Sequence, residues 1–153
     1  MKINNLFEGK KYEESSQHQR GWGNKLINEL KLRGDEKILD LGCGNALTTR
    51  ELAERVPEGR VVGVDWSSSM LETAKTHKTE NMEFILLDIN KMSFDNEFDV
   101  VFSNATLHWI PDHQKLLNNI YSALKSGGFM RIQFAADGNC SNFFHIAGEV
   151  TRY

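Results

Sequence analysis

The segment KILDLGCGNA, residues 37–46, decides the fold, because in it a short apolar run leads directly into a glycine-rich turn. Residues 38–41 read as a buried strand, and Gly42 and Gly44 let the backbone turn sharply before a helix begins near Ala46. A buried strand followed by a glycine turn and a helix is typical of open α/β sheets. We therefore expect bare backbone at the carboxyl end of this first strand.

Two further apolar runs each end in an acid. RVVGVD (60–65) ends at Asp65, and EFILLD (83–88) ends at Asp88. The carboxyl ends of parallel strands meet at one edge of a sheet, where open α/β sheets bind nucleotide-like ligands. Asp65 lies 21 residues beyond Gly44, the distance at which an acid meets ribose hydroxyls in this architecture. These positions predict a site for an adenosine-containing cofactor.

The adenine end of that site is predicted from the residues beside the two acids. Asp88 is suited to accept a hydrogen bond from an exocyclic amine, and the backbone of Ile89 completes the recognition of adenine. Trp66 and Ile89 offer apolar surface to the two faces of the ring.

The remaining periodicities complete an alternation of strands and helices. Helical spacing of apolar residues occurs at 22–30 and 116–124, and a last helix is predicted at 142–152. Further strands are predicted at 98–102 and 129–135. This alternation predicts an α/β fold, a Rossmann-like doubly wound sheet of about five parallel strands flanked by helices.

Local signals predict where several of these elements begin and end. Gly34 is expected to cap the first helix, and Asp112 is expected to cap the 116–124 helix. The serines at 67–69 are expected to cap the helix between the second and third strands, and Ser69 with Glu72 has capping-box spacing. The inner face of that last helix is predicted to be formed by Leu116, Leu117, Ile120, Tyr121 and Leu124. A loop or a single helical turn is expected between the third and fourth strands, because too few residues separate them for a full helix.

Composition excludes several classes of function. The formal charge of the 153-residue chain is -3, and no run of Lys or Arg suggests nucleic acid or a membrane surface. We expect one domain, and the polar N-terminus argues against a secretory signal. Cys43 and Cys140 show neither metal-ligand spacing nor a disulfide framework, so no metal is expected and a reducing cytoplasm is predicted.

A nicotinamide or flavin dinucleotide fold is the main alternative to this interpretation. Its fingerprint requires G-x-G-x-x-G. When Gly42 is taken as the first glycine, the position of the third glycine is occupied by Leu47. Asp40 precedes the turn directly, which is unfavourable beside a pyrophosphate but suits a ligand with a cationic amine. An oxidoreductase is therefore the less favoured function.

Together these motifs resemble the class I S-adenosylmethionine-dependent methyltransferases over roughly residues 10 to 150. Residues 40–46 resemble the methionine-binding motif of that family, with Ala46 where a third glycine is common. Asp65 resembles its ribose-binding acid, Asp88 and Ile89 its adenine pair, 98–104 its fourth-strand motif, and 124–128 the turn before its fifth strand. The cofactor-binding residues implied are Asp40, Gly42, Cys43, Gly44, Asn45, Asp65, Trp66, Met70, Asp88, Ile89, Ser103, Asn104, Tyr12 and Gln19.

The segment SNATLHWIPD, residues 103–112, is similar to the branch containing trans-aconitate and juvenile hormone acid methyltransferases. This resemblance implies methyl transfer to a carboxylate oxygen of a small molecule. His108 is the candidate for orienting the acceptor, and Trp109 and Trp22 are candidates for contacting it. The spacing of Tyr12, Gln19 and Trp22 is similar to that of an N-terminal lid, so we expect a lid at 1–20 and the methyltransferase core at 21–153.

Members of this family continue past the fifth strand with an antiparallel strand pair, which we expect this chain to lack. Three functions therefore remain open. They are a methyltransferase acting on a small molecule, a module that binds S-adenosylmethionine without turnover, and a nicotinamide-dependent oxidoreductase. The sequence does not determine the oligomeric state.

Overall fold

The structure is a computed structural model that describes the backbone of residues 17–135 and the side chains of residues 23–135. Within this part of the chain, α-helices and strands alternate except between the third and fourth strands, which are joined by a loop with a single 3₁₀ turn. In chain order they are α1 (Gln17–Asn28), β1 (Lys37–Leu41), α2 (Leu47–Arg55), β2 (Arg60–Asp65), α3 (Ser68–Lys75), β3 (Met82–Leu86), β4 (Phe98–Asn104), α4 (His113–Ala123) and β5 (Leu124–Gln133). Single 3₁₀ turns lie at Ile89–Lys91 and Leu107–Trp109.

The five strands form one parallel sheet in the order β3-β2-β1-β4-β5. Strand order reverses between β1 and β4, so a switch point lies beside the glycine turn that follows β1. Crevices at such switch points are where doubly wound sheets bind ligands. The predicted α/β fold with about five parallel strands is confirmed.

Apolar side chains of β1, β2 and β4 are buried on both faces of the sheet, because successive strand residues point to opposite sides. Ile38 and Val100 belong to the cluster beneath α1, α2 and α3. Leu39 and Val101 belong to the cluster beneath α4 and the 3₁₀ turns. With both faces of these central strands covered, their polar groups reach the surface at the strand ends, whereas the edge strand β5 is exposed along much of its length.

The first helix ends at Asn28, earlier than predicted. The buried Glu36 carboxylate accepts hydrogen bonds from the backbone amides of Arg33 (2.6 Å) and Gly34 (3.0 Å). These amides are therefore taken up by a loop and cannot continue the helix. Gly34 has the expected positive φ of 106° but lies in this loop, so the prediction that it caps the helix is wrong.

The cap of α3 is Ser67, which confirms that a serine at 67–69 caps this helix, but the predicted capping box at Ser69 and Glu72 is wrong. The Ser67 hydroxyl oxygen accepts a hydrogen bond from the Met70 amide at 3.3 Å. The Ser67 amide donates to the Asp65 carboxylate at 2.8 Å, which fixes Ser67 as the last residue before the helix. Ser69 consequently lies inside the first turn.

Helix α4 buries a narrower stripe than predicted. Leu116 and Ile120 are buried, but Leu117 is 44% exposed and Tyr121 is 83% exposed. The helix contacts the sheet along one row of side chains, and the adjacent row faces outward. Its predicted cap is confirmed, because the Asp112 carboxylate accepts a hydrogen bond from the Lys115 amide at 2.9 Å.

Strand β5 begins at Leu124 and includes the residues predicted to form a turn. Phe98 pairs with Leu124 whereas Val100 pairs with Phe129, so β5 bulges at 125–128. The bulge absorbs the glycine turn without ending the strand. The predicted single helical turn before β4 is confirmed by the 3₁₀ turn at Ile89–Lys91.

Some predictions fall outside the described residues. These are Tyr12, the helix at 142–152, and the side chains of Gln19 and Trp22. Residues 17–20 of the predicted lid form the first turn of α1, and the rest of that segment also lies outside. In the described part of the chain, no helix has the length and apolarity needed to cross a bilayer, and no cluster of metal-ligating side chains occurs.

Candidate functional site

A cavity of about 440 Å³ opens at the carboxyl ends of the strands. Its wall combines the glycine turn, the ends of β2 and β3, and the loop that follows β4. It is lined by Gly42, Gly44, Asp65, Trp66, Ser67, Met70, Leu87, Asp88, Ile89, Asn90, Ala105, Thr106, Trp109 and Ile110. The predicted glycine turn and the acids that follow β2 and β3 thus meet in one cavity.

The glycine turn is fixed onto the second strand by its own backbone. The amides of Gly42 and Cys43 both donate hydrogen bonds to the Val64 carbonyl, at 2.8 and 3.0 Å. Gly42 and Gly44 have φ values of 72° and 55°, which side-chain-bearing residues rarely adopt. A Cβ on Gly44 would meet no atom within 4 Å, so the space beside this residue is open to a ligand.

Asp65 joins the glycine turn to the start of α3. One of its carboxylate oxygens accepts from the Gly44 amide at 2.9 Å, and the other accepts from the Ser67 amide at 2.8 Å. Burial raises the pKa of Asp65, and the backbone hydrogen bonds oppose that rise. Each carboxylate oxygen can accept a second hydrogen bond, so Asp65 retains the capacity to bind hydroxyl donors.

Asp88 forms the other polar end of the cavity. Its Oδ1 atom accepts from both the backbone and the side-chain amide of Asn90, each at 3.0 Å. The Asn90 backbone hydrogen bond lowers the pKa of Asp88, with Lys91 and Lys115 contributing charge. Asp88 is therefore ionised at neutral pH and can accept a further hydrogen bond through Oδ2.

Large apolar side chains form the walls between the polar ends. Trp66 and Trp109 are 56% and 63% exposed, although both line the cavity. Met70 and Ile89 are buried beside them. Exposed tryptophans at a cavity mouth are typical of surfaces that cover the flat face of a ligand.

Asp40 lies beneath the cavity and is not part of its lining. It is only 2% exposed, and its Oδ2 atom accepts a hydrogen bond from the Thr49 hydroxyl at 2.7 Å. Burial raises the pKa of Asp40 to about 7; the Thr49 hydrogen bond opposes this rise and the Asp65 charge adds to it. A cation near the turn would favour the ionised form.

The other predicted cofactor-binding residues also lie outside the lining. Cys43 is buried against Gly63, and the Ser103 hydroxyl donates to the Leu41 carbonyl at 2.8 Å, which ties β4 to β1. The Asn104 side chain lies beside α1, since a Cβ on Gly23 would be 3.0 Å from its Nδ2 atom. None of these three residues lines the cavity.

His108, the candidate for orienting the acceptor, lies at the rim of the cavity. Its ring lies against the ring of Trp109, tilted by 44° with 5.0 Å between centroids, and it does not line the cavity itself. Partial burial lowers the pKa of His108, so its imidazole is neutral at pH 7.

Sequence reasoning missed six lining residues. They are Ser67, Leu87, Asn90, Ala105, Thr106 and Ile110. Ser67 and Asn90 each follow a predicted acid by two residues, and the backbone amide of each donates to that acid. A short polar residue at that spacing is a signal that could have identified both. Thr106 and Ile110 lie within the 103–112 motif but carried no separate signal.

An adenosyl amino acid fits the residues of this cavity. Asp65 and Asp88 supply acceptors for hydroxyl and amine donors, and the space beside Gly44 is open. Asn45, in the glycine turn, does not line the cavity and is 7% exposed, and its Nδ2 atom is a buried donor without a hydrogen-bond partner. Because unpaired buried donors are costly, this atom is suited to receive an acceptor from a ligand.

Comparisons with known proteins agree on one family. A family model described as a methyltransferase domain matches residues 32–147. The chain is 34% identical to malonyl-(acyl-carrier protein) O-methyltransferase 1 of Ilyobacter polytropus, over 88% of the chain and 50% of that protein. It is 39% identical to trans-aconitate 2-methyltransferase of Deinococcus radiodurans, over 66% of the chain and 38% of that protein. The chain thus spans half or less of the length of these relatives.

A solved structure extends the comparison to three dimensions. Phosphoethanolamine N-methyltransferase 2 of Haemonchus contortus, in complex with S-adenosyl-L-methionine, superposes with a TM-score of 0.70 at 27% identity. The match covers 80% of this chain and 31% of that protein. The sheet and its flanking helices are therefore shared with a protein that holds this cofactor.

Proposed function

Since the chain belongs to the family of S-adenosylmethionine-dependent methyltransferase domains, we propose that its cavity binds this cofactor and that the protein methylates a small-molecule acceptor. The observation that carries the proposal is the meeting of three sequence-distant groups in one cavity. The glycine turn after β1, Asp65 at the end of β2 and Asp88 after β3 line the same space.

Each part of the cofactor has a chemical counterpart among these residues. Asp65 accepts hydrogen bonds from the ribose hydroxyls, and Asp88 with the Ile89 backbone recognises adenine. Trp66 and Ile89 cover the two faces of the ring, with Met70 beside them. Asp40, ionised in the presence of a cation, supplies negative charge beneath the methionine end.

The remaining residues predicted to bind the cofactor have different proposed roles. Asn45 offers its unpaired Nδ2 donor to the methionine carboxylate. Cys43, Ser103 and Asn104 contribute by shaping the backbone around the cavity, since none of the three lines it. Tyr12 and Gln19 remain predicted contacts from the N-terminal segment.

The proposed acceptor is a carboxylate oxygen of a small molecule. The relatives named above carry the names of trans-aconitate and of malonyl-(acyl-carrier protein), and trans-aconitate and the malonyl group both contain carboxylates. The cofactor supplies an electrophilic methyl group, and a carboxylate is already deprotonated at neutral pH. The protein then needs to align the acceptor and needs no general base, because orientation alone can supply much of the acceleration.

Three aromatic residues are proposed for the acceptor side. Neutral His108 donates a hydrogen bond that orients the acceptor, and Trp109 forms the wall next to it. Trp22 is the third proposed contact. A role for His108 at the rim predicts a raised KM for the acceptor in His108→Ala, with cofactor affinity unchanged.

Calorimetric titration with S-adenosylmethionine and S-adenosylhomocysteine tests the proposal. Asp88→Ala is the informative variant, because Asp88 is partly exposed and its loss leaves the sheet intact. We expect affinity to fall by roughly tenfold or more, as for a lost hydrogen bond to a charged group. Asp95→Ala, the loss of an exposed acid outside the cavity, is the matched control and should bind as the unaltered protein does.

The proposal would be contradicted if the protein bound neither ligand. It would also be contradicted if Asp88→Ala and Asp95→Ala changed the affinity equally. Binding without turnover across a panel of carboxylates would favour a module that only holds the cofactor. We propose small molecules as partners, with no role for nucleic acid or membranes. A reducing cytoplasm is the proposed location, on the cysteine pattern and the buried free thiol of Cys43.

A further inference from the structure

We infer that Thr106 directs its hydroxyl oxygen at the cationic sulfonium centre of the bound cofactor and so distinguishes S-adenosylmethionine from S-adenosylhomocysteine. The inference rests on the proposed function and adds a cofactor-recognition residue to it. Thr106 lies in the loop after β4 and lines the cavity.

Thr106 occupies the space where a side chain on Gly42 would lie. A Cβ added to Gly42 would be 2.2 Å from Thr106 Cγ2 and 2.3 Å from Thr106 Oγ1. The threonine side chain therefore sits directly on the glycine turn that is proposed to hold the methionine end. Gly42 and Thr106 line the same cavity, so a ligand on this turn contacts both.

The hydroxyl proton is already engaged by the backbone. Thr106 Oγ1 lies 3.3 Å from the Gly42 carbonyl and 3.3 Å from the Asn104 carbonyl, both of which accept from it. A hydroxyl has one proton and two lone pairs. With the proton shared between two carbonyls, Oγ1 can meet a ligand only as an acceptor, and the three oxygens create a small electronegative patch.

The loop that carries Thr106 is held in place at three points. The Ala105 amide donates to the Gln133 carbonyl at 2.8 Å, and the His113 ring lies 3.0 Å from the Leu107 carbonyl. The Trp109 amide donates to the Thr106 carbonyl at 3.0 Å. A fixed oxygen beside the cavity is preorganised and costs little ordering when the ligand binds.

The distribution of charge around the cavity indicates which part of the cofactor lies next to Thr106 Oγ1. Among the described residues that line the cavity, the charged ones are Asp65 and Asp88. Asp65 is assigned to the ribose and Asp88 to the adenine. The sulfonium carries its positive charge between the ribose and the amino-acid portion. A methyl group on positive sulfur has polarised hydrogens, which favour contact with an oxygen lone pair.

Substitution by valine tests the inference because valine keeps the branched shape and removes only the hydroxyl. In Thr106→Val we expect the affinity for S-adenosylmethionine to fall relative to that for S-adenosylhomocysteine by roughly two- to fivefold. Thr106→Ser restores the hydroxyl and should restore the ratio. Calorimetry of both ligands on each variant gives the ratio, and thermal unfolding verifies the fold. Thr106→Ala replaces the valine variant if that one does not fold.

The outcomes separate this inference from the proposed function. An unchanged ratio in Thr106→Val would overturn the inference while cofactor binding itself stands. Equal weakening of both ligands would also overturn it, because the oxygen would then face the ammonium group that they share. If the unaltered protein binds neither ligand, the proposed function fails and the inference fails with it.

Discussion

At the scale of single residues, Asp40 shows how the fold changes the chemistry of a side chain. Its carboxyl is buried with one neutral hydrogen bond from Thr49, and burial raises its pKa to about 7. An acid whose pKa is raised by folding contributes stability at low pH, and that stability is lost as pH rises through the folded pKa. Between pH 4 and 7, Asp40 therefore opposes folding progressively when no ligand is bound.

Asp40→Asn removes this titration while its amide oxygen still accepts from Thr49. We expect the free energy of unfolding of Asp40→Asn, taken relative to that of the unaltered protein, to increase by up to roughly 4 kcal/mol as the pH rises from 4 to 7. Urea denaturation of both proteins at several pH values measures the difference. A difference that stays constant with pH would contradict the prediction. The same substitution should weaken binding of the cationic cofactor.

Alanine substitutions at three glycines with positive φ distinguish three effects, which are backbone strain, collision with a neighbouring side chain and loss of contact with the ligand. A Cβ on Gly44 or Gly127 meets no atom within 4 Å, whereas a Cβ on Gly42 collides with Thr106. Gly44→Ala and Gly127→Ala should each cost about 1–2 kcal/mol of stability, and Gly42→Ala should cost more. Only Gly42→Ala and Gly44→Ala should weaken cofactor binding. Equal binding by Gly44→Ala and Gly127→Ala would exclude a close approach of ligand at Gly44.

At the scale of elements, the junction between β2 and α3 combines a structural and a binding role. Asp65 ends the strand, accepts from the Ser67 amide, and so places Ser67 as the cap. A single carboxylate thereby sets the glycine turn, the start of the helix and one wall of the cavity. Loss of Asp65 is expected to disturb all three, which makes it a less specific probe than Asp88.

Substitutions at two serines test which residue caps α3. Ser67→Ala should lower the free energy of unfolding by about 1 kcal/mol, since it removes the acceptor for the Met70 amide. Ser69→Ala lies within the helix and is exposed, so it should be neutral or slightly stabilising. Thermal denaturation of the two variants decides between the positions. A larger loss at Ser69 would restore the capping box that sequence spacing suggested.

At the scale of the whole molecule, the cavity brings together segments that are far apart in the chain. The proposed ligand contacts the ends of β1, β2 and β3 and the loop after β4. Because these segments separate on unfolding, the cofactor binds only the native state. Occupancy of the cavity is therefore linked to global stability.

S-adenosylmethionine at 100 times its dissociation constant should raise the free energy of unfolding by about 2.7 kcal/mol. Chemical denaturation with and without ligand measures this increment. Asp88→Ala at the same ligand concentration should show a smaller increment, whereas Asp95→Ala should keep the full one. An increment equal in all three proteins would indicate binding outside the cavity.

Much of the architecture could be predicted from local pattern. The buried strands at 38–41, 61–64 and 98–102 were identified within two residues at either end, because β-branched and aromatic runs bounded by turn residues have few alternatives. Residue exposure was harder to predict. Tyr121 has helical periodicity with Leu117 and Leu124, yet its burial depends on how far the sheet extends beneath α4.

The amino-acid sequence by itself determined the alternation of elements, the glycine turn and the two acids that end β2 and β3, since each follows from spacing and local conformational preference. Only the tertiary structure decided which side chains meet. Thr106 rests on Gly42 although 64 residues separate them, and Ser103 turns toward Leu41 and not toward the cavity. These contacts depend on the order of strands in the sheet, in which β4 lies beside β1. The spacing of residues along the chain does not indicate that β4 pairs with β1.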